Sequence, residues 1–203
     1  MTDHDLGRKV KYLGGHLMMR KEYGDMVLEG KKTSTIRLGY IIPKKKEIII
    51  HSGGRPIAKA IIDEVIHKKL SELDDEDVIR EGYSSKRELF KELRKIYGRG
   101  ISKDSIVTII RFHVTERLDN LDLSKPYMGL KPKDIAALGL RYLNNELLEE
   151  EKKILQVLRE TGSIRKTAYR IYGTVEKRFN VRLVLKKVIE KLIMKGILQI
   201  STP

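Results

Sequence analysis

The sequence predicts an α+β protein: a small, mostly antiparallel β-barrel with inserted helices, followed by a small all-α domain. Three observations carry that prediction. Short runs rich in β-branched residues, bounded by turn residues, fill the part up to Leu118. Two segments of helical period interrupt those runs. Beyond a stretch rich in Asp, Asn, Gly and Pro, the pattern is helical almost throughout. The 203 residues allow one or two domains. A hydrophobic content of 40% suffices for a core, made mostly of Ile, Leu and Val because Trp is absent and Phe occurs three times.

In chain order, "EIIIHSG" (47–53) predicts a strand ending in Ser-Gly, and "PIAKAIIDEVIHKKL" (56–70) a second, longer one. Leu73 to Glu81 has an acidic first turn and a Gly82 stop, which predicts a helix. "SSKRELFKELRKIYG" (84–98) predicts another, with Ser at a cap, Leu89, Phe90, Leu93 and Ile96 on one stripe, and Gly98 as the stop. "SIVTIIRFHV" (105–114) is the clearest strand signal. Residues 1–118 thus form the expected barrel domain, and "DNLDLSKPYMGLKP" (119–132) holds the linker, placed at 119–131.

The helical domain spans 132–203. Pro132 suits a first helical position, and Ile135, Leu138 and Tyr142 follow at helical spacing. "LLEEEKKILQVLRE" (147–160) puts Leu148, Leu155 and Leu158 on one face. "SIRKTAYRIYG" (163–173) runs from a capping Ser to a terminal Gly, "RLVLKKVIEKLIMKG" (182–196) is amphipathic, and "ILQI" predicts a short strand.

Charge bounds the function. The formal net charge is +14, from 42 basic and 28 acidic residues. A polyanion is the default partner for such an excess, and nucleic acid the leading one. The competing reading is the Lys/Glu-rich surface of a thermophile protein, but that habit balances the two signs. The excess is shared: residues 1–118 carry 25 basic and 18 acidic residues, and residues 144–203 carry 13 and 7. With no cysteine, disulfides, thiolate metal sites and a Cys nucleophile are excluded. His4, His16, His51, His67 and His113 lack ligand-like spacing, so no metal and no cofactor is expected. No apolar run approaches a membrane span, so a cytoplasmic protein without a membrane partner is expected.

One stretch concentrates chemistry: "GKKTSTIR" (30–37). As a strand, "TSTIRL" (33–38) turns Ile36 and Leu38 to the core and Thr33, Thr35 and Arg37 to water or a cleft. A turn at Gly30 can bring the Lys32 ammonium beside Thr35, and Arg37 offers a fork of donors to a phosphate or carbonyl. An exposed strand with Thr for β-propensity and Lys/Arg for solubility remains open as the plainer alternative.

These residues also carry a resemblance. "MVLEGKKTSTIRLG" (26–39) resembles the signature of the ASCH family, whose members share a fold with the PUA RNA-binding domains. "LDDEDVIREGYSSKRELFKELRKIYG" (73–98) resembles its helical insertion, and "DSIVTIIRFHV" (104–114) its closing strand. The likeness runs from Leu17 to Val114. It implies a small PUA-like barrel with a cleft, associated with RNA or nucleotide recognition. A bacterial branch of the family hydrolyses the acetyl amide of exocyclic-N-acetylated cytidine with a lysine, a threonine and a glutamate. Carried over by position, these are Lys32, Thr35 and Glu81. A Thr hydroxyl needs an adjacent base. Lys32 serves only with a depressed pKa, for which Lys31 or Arg37 can supply the field. Glu81 would move a proton to the leaving amine.

Tyr83 is a candidate stacking surface for a base, and Tyr97 is assigned to packing. His113 alternates with core residues on the last strand and reads as structural. At the other end, "RLVLKKVIEKLIMKGIL" (182–198) resembles the end of a winged-helix recognition helix, with Arg182, Lys186 and Lys187 toward phosphates and Arg165 and Lys166 on the helix before it. Ending at Pro203 leaves no room for a second wing strand, and "TVEKRFN" reads as longer than a tight turn. A basic helical module packed on the barrel or on a partner is the alternative.

The leading expectation is a nucleic-acid-binding protein that recognises RNA or a nucleotide through Lys31, Lys32, Thr35, Arg37, Glu81 and Tyr83. The chief rival is an amidohydrolase acting on a modified nucleoside through Lys32, Thr35 and Glu81. A DNA-binding regulator using its C-terminal helices is third.

Overall fold

The run Ser105–Phe112 is apolar on both sides of its backbone, and the computed structural model shows why. The structure describes residues 10–98, 100–122 and 124–200; His4 and Pro203 lie outside them. Ile110 and Phe112 pack into one apolar layer with Leu17, Val27, Ile50 and Ile62. Val107 and Ile109 pack into another, with Ile36, Leu73, Leu89 and Leu93. A strand covered on both faces has no need to alternate polar and apolar residues.

The described residues divide into two compact units, with the boundary between Arg117 and Leu118. In the first unit, a five-stranded sheet runs in the order β2 (His16–Met19), β5 (Glu47–Ser52), β6 (Arg55–Lys69), β7 (Ile106–Arg117) and β3 (Ser34–Leu38). β2 pairs with β5 in parallel, and the other pairs are antiparallel. β1 (Lys11–Leu13) and β4 (Ile41–Pro43) form a separate parallel pair. Two register shifts in the long β6–β7 ladder mark bulges, and bulges strengthen twist. The result is a curled half-barrel whose two edges are β2 and β3. Gly53 and Gly54, with φ of 56° and 83°, make the hairpin between β5 and β6, where a side chain would strain both positions.

Three helices belong to this unit. α1 (Gly24–Leu28) follows a 3-10 turn (Lys21–Tyr23) after β2. α2 (Asp75–Arg80) and α3 (Lys86–Tyr97) are inserted between β6 and β7. Asp74 caps α2 by accepting from the Asp77 amide, and Ser85 caps α3 through the Glu88 amide. The buried Asp77 carboxylate ties α2 to the sheet, accepting from Arg111 at 3.2 Å and pairing with Lys68.

The second unit packs four helices: α4 (Pro132–Tyr142), α5 (Glu149–Thr161), α6 (Ile164–Tyr172) and α7 (Arg178–Met194). Gly139 of α4 lets α7 approach closely; a Cβ there would lie 2.8 Å from Val188 Cγ1. Three expectations need correction. Leu148 is 67% exposed because it takes the extended N-cap position of α5, and Ile154 joins Leu155 and Leu158 inside instead. "ILQI" makes one isolated bridge, Ile200 to Leu121, since its other residues find no partner strand. α7 begins at Arg178 rather than Arg182, so five residues, 173–177, connect it to α6.

Candidate functional site

The site begins with a turn. Gly30 has φ 73°, and the Lys32 amide then donates to the Met26 carbonyl at 2.9 Å, which brings the lysine side chain inward. Lys32 is 2% exposed. Its Nζ donates to Glu81 Oε1 at 2.7 Å and to the Glu81 backbone carbonyl, also at 2.7 Å. The Nζ stands 4.8 Å from the centre of the Tyr23 ring, on its face.

Glu81 is there because α2 ends there. The last carbonyls of a helix lack partners within it and favour a cation. Lys32 Nζ meets the Glu81 carbonyl, and the Thr33 amide meets the Arg80 carbonyl at 2.8 Å. Gly82 follows with φ 91°, and a Cβ at that point would fall 2.5 Å from Met26 Cε. The second Glu81 oxygen accepts from Ser34 Oγ at 3.1 Å. Burial holds the Lys32 ammonium below the usual lysine range; Glu81 opposes this by contact and hydrogen bond, and the Arg37 charge adds to the lowering.

A cleft of about 270 Å³ opens beside this pair, between β2, β3, Glu81, Tyr83 and α3. Thr35, Arg37, Tyr83 and Tyr97 line it together with Lys32 and Glu81. No hydrogen bond holds the Thr35 hydroxyl among the described residues. Arg37 donates to the Met18 carbonyl, spanning the gap between the two edge strands of the half-barrel. Tyr83 meets Tyr23 hydroxyl to hydroxyl at 2.5 Å, and burial raises both phenols above their usual range. Lys32 also lines a second hollow of about 470 Å³, on the side of Thr33, Phe112 and His113.

The structure therefore brings Lys32, Thr35, Arg37, Glu81 and Tyr83 to one cleft, although Lys32 and Glu81 stand 49 positions apart in the sequence. It leaves Lys31 outside: that side chain is exposed and pairs with Glu29 at 2.6 Å, so Arg37, not Lys31, supplies the field at Lys32. Thr33 faces the second hollow rather than the cleft. His113 is not in the core; it is exposed and bonds Asp63 at 2.7 Å. In the second unit Lys187 is engaged with Glu151 at 2.6 Å and Lys186 stands 3.9 Å from Glu190. Arg165, Lys166 and Arg182 are exposed there.

Two residues escaped the sequence reading. Ser34 lies on the core side of β3 next to Ile36, and a hydroxyl among apolar neighbours was the available signal. Tyr23 comes from the 3-10 turn after β2, and nothing in its local sequence marks it. Chemically, the cleft combines a desolvated amine, a carboxylate, an unengaged hydroxyl and a guanidinium with donors to spare. No group of His, Asp and Glu suited to a metal ion occurs among the described residues.

The model of the ASCH domain matches residues 10–116. Among solved structures, ASCH from Zymomonas mobilis aligns with a TM-score of 0.43 and 16% identity, covering 61% of this chain and 79% of that one. The ASCH domain from Lactobacillus crispatus JV V101 aligns with a TM-score of 0.39 and 17% identity, covering 51% and 79%. A protein from Enterococcus faecalis V583 gives 0.40 and 18%, covering 48% and 69%. No curated protein matches.

Proposed function

This chain belongs to the ASCH domain family, and on that premise we propose that its cleft receives a nucleotide presented by RNA. The observation that carries the reading is the lining of the cleft: Arg37 and Lys32 for phosphate or carbonyl oxygen, and Tyr83 for the face of a base. Arg37 gives one N–H to Met18 and keeps others to offer. The net charge of +14 supplies the long-range attraction. Fluorescence anisotropy with a labelled 12-nucleotide RNA tests this. Affinity falls with salt by a log–log slope of about 0.7 per phosphate engaged. Arg37→Ala weakens binding about tenfold, and Thr35→Ala changes it little. Binding that ignores both salt and Arg37→Ala contradicts the reading.

A second reading has an observation of its own: the depressed Lys32 amine and the unengaged Thr35 hydroxyl line one cleft. On this reading the protein deacetylates exocyclic-N-acetylated cytidine. Lys32, once it has given up its own proton, takes the Thr35 proton as the hydroxyl oxygen bonds to the amide carbon. The C–N bond breaks, the released exocyclic amine takes a proton delivered through Glu81, and water then hydrolyses the acetyl ester to acetate. Incubation with N-acetylated cytidine, free and within RNA, checks this by mass. Turnover lost in Thr35→Val while RNA binding persists supports hydrolysis; no turnover at high protein concentration contradicts it for that substrate.

A further inference from the structure

The surface of this protein is laced with ion pairs, and the N-terminal half of α7 departs from that pattern. Residues 177–187, "KRFNVRLVLKK", contain five basic residues and no acidic one. Lys187 is engaged by Glu151 at 2.6 Å, while Lys177 sits over the Tyr172 ring at 5.5 Å. Arg178 and Arg182 are exposed and have no ion-pair partner among the described residues. Lys186 has only the distant Glu190, at 3.9 Å.

Helical geometry puts these cations on one face. At about 100° per residue, Arg178, Arg182, Lys186, Phe179 and Leu183 fall within an arc of roughly 140°. The three cations follow one edge of that arc, each about 6 Å further along the axis. The apolar pair follows the other edge. Phe179 is 64% exposed and Leu183 48% exposed, while Val181, Val184, Leu185 and Val188 fill the opposite, buried side. The core of the unit is thus satisfied without Phe179 and Leu183, and their exposure is not a packing requirement.

We propose that this face of α7 binds single-stranded nucleic acid, with phosphates along Arg178, Arg182 and Lys186 and a base against the Phe179 ring. Unpaired cations beside an exposed ring match a strand that offers charge and a flat apolar face together. Paired bases in a duplex keep their faces stacked inside and have nothing to give Phe179. This face belongs to the helical unit and the cleft to the other, and the proposal stands whether or not the cleft binds RNA.

The experiment uses the full-length protein and a labelled 12-nucleotide oligouridine, read by anisotropy across a salt series. Both variants change exposed side chains and leave the fold intact by circular dichroism. Arg178→Ala with Arg182→Ala reduces the salt slope by about 1.4, from about 0.7 for each single-strand phosphate released. Phe179→Ala weakens binding about tenfold, in the range found for one stacked base. Unchanged affinity and slope in the α7 variants overturns the proposal. So does a loss confined to the arginine variant, which removes the stacking contact, or stronger competition by a 20-base-pair DNA duplex than by unlabelled oligouridine.

Discussion

The two units bury charge in different ways. In the helical unit, the buried Glu151 closes the N-terminus of α5. It accepts from the Leu148 amide at 3.0 Å and from Lys187 at 2.6 Å, and Lys187 keeps much of its side chain in water. That arrangement serves a helix end. In the barrel unit, Lys32 is withdrawn from water almost entirely and meets both a carboxylate and a helix-terminal carbonyl. Burying such a pair costs several kcal/mol per ion before the partners' attraction is counted. A fold needing only stability has cheaper ways to fill that space, and the pair forms the wall of a cleft. The difference separates charge that only ends a helix from charge that ends one and also forms the wall of a cleft.

The largest expected effect of breaking this comparison is at Lys32. Lys32→Met leaves the Glu81 carboxylate buried and unpaired, and denaturant unfolding should show a loss of about 3–5 kcal/mol. Next is Gly139→Val in the helical unit. Its Cβ would press on Val188 at 2.8 Å and Leu155 at 3.2 Å, and overpacking of this kind costs about 1–3 kcal/mol in the midpoint analysis. Gly82→Ala, at φ 91°, costs about 1–2 kcal/mol from the left-handed backbone alone. It also displaces Met26 and disturbs the carbonyl that holds Lys32, so the proposed RNA binding is expected to weaken with stability. The smallest effect is at the helical unit's own pair: Lys187→Met should change stability by less than about 1 kcal/mol, because Lys187 itself stays largely in water and Glu151 keeps the Leu148 amide.

The pH dependence sharpens the same contrast. Burial, the leading influence on Lys32, sets its folded-state pKa below the unfolded value of 10.5. Between those two values the unfolded chain binds more protons, so stability rises with pH through that window and levels off above it. Lys32→Met abolishes that rise, and Lys187→Met leaves it in place. Thermal melts from neutral pH upward distinguish these outcomes.

Much of the architecture was legible because its signals are local. Ser85, Ser163, Gly98 and Gly173 mark helix ends by their own chemistry, and all four stand at helix ends in the structure. β6 and β7 are long enough for their composition to decide them. What failed was contextual. Leu148 reads as part of a helical stripe, yet the capping geometry of Glu151 holds it outside. Phe179 points away from the core, so the apolar period of α7 starts a turn later than the helix does. The parallel pairing of β1 with β4 joins strands of three residues each, too short to announce a partner.

The cleft divides along the same line. Alternation along β3 places Ile36 inside and Thr35 with Arg37 on the other face. It says nothing of whether a lysine ahead of the strand is buried. That depends on the C-terminus of α2, far away in the sequence, arriving with two acceptors. Ser34 and Tyr23 were missed for the same reason, since each matters through residues distant in the sequence: Glu81 for Ser34, Lys32 and Tyr83 for Tyr23.

The most direct test of the account is an amide NMR titration of the full-length protein with cytidine 5′-monophosphate. The account predicts shifts that cluster at residues 32–37 and 81–83 and saturate together. Saturable shifts that avoid those segments, or none at millimolar nucleotide, would contradict it.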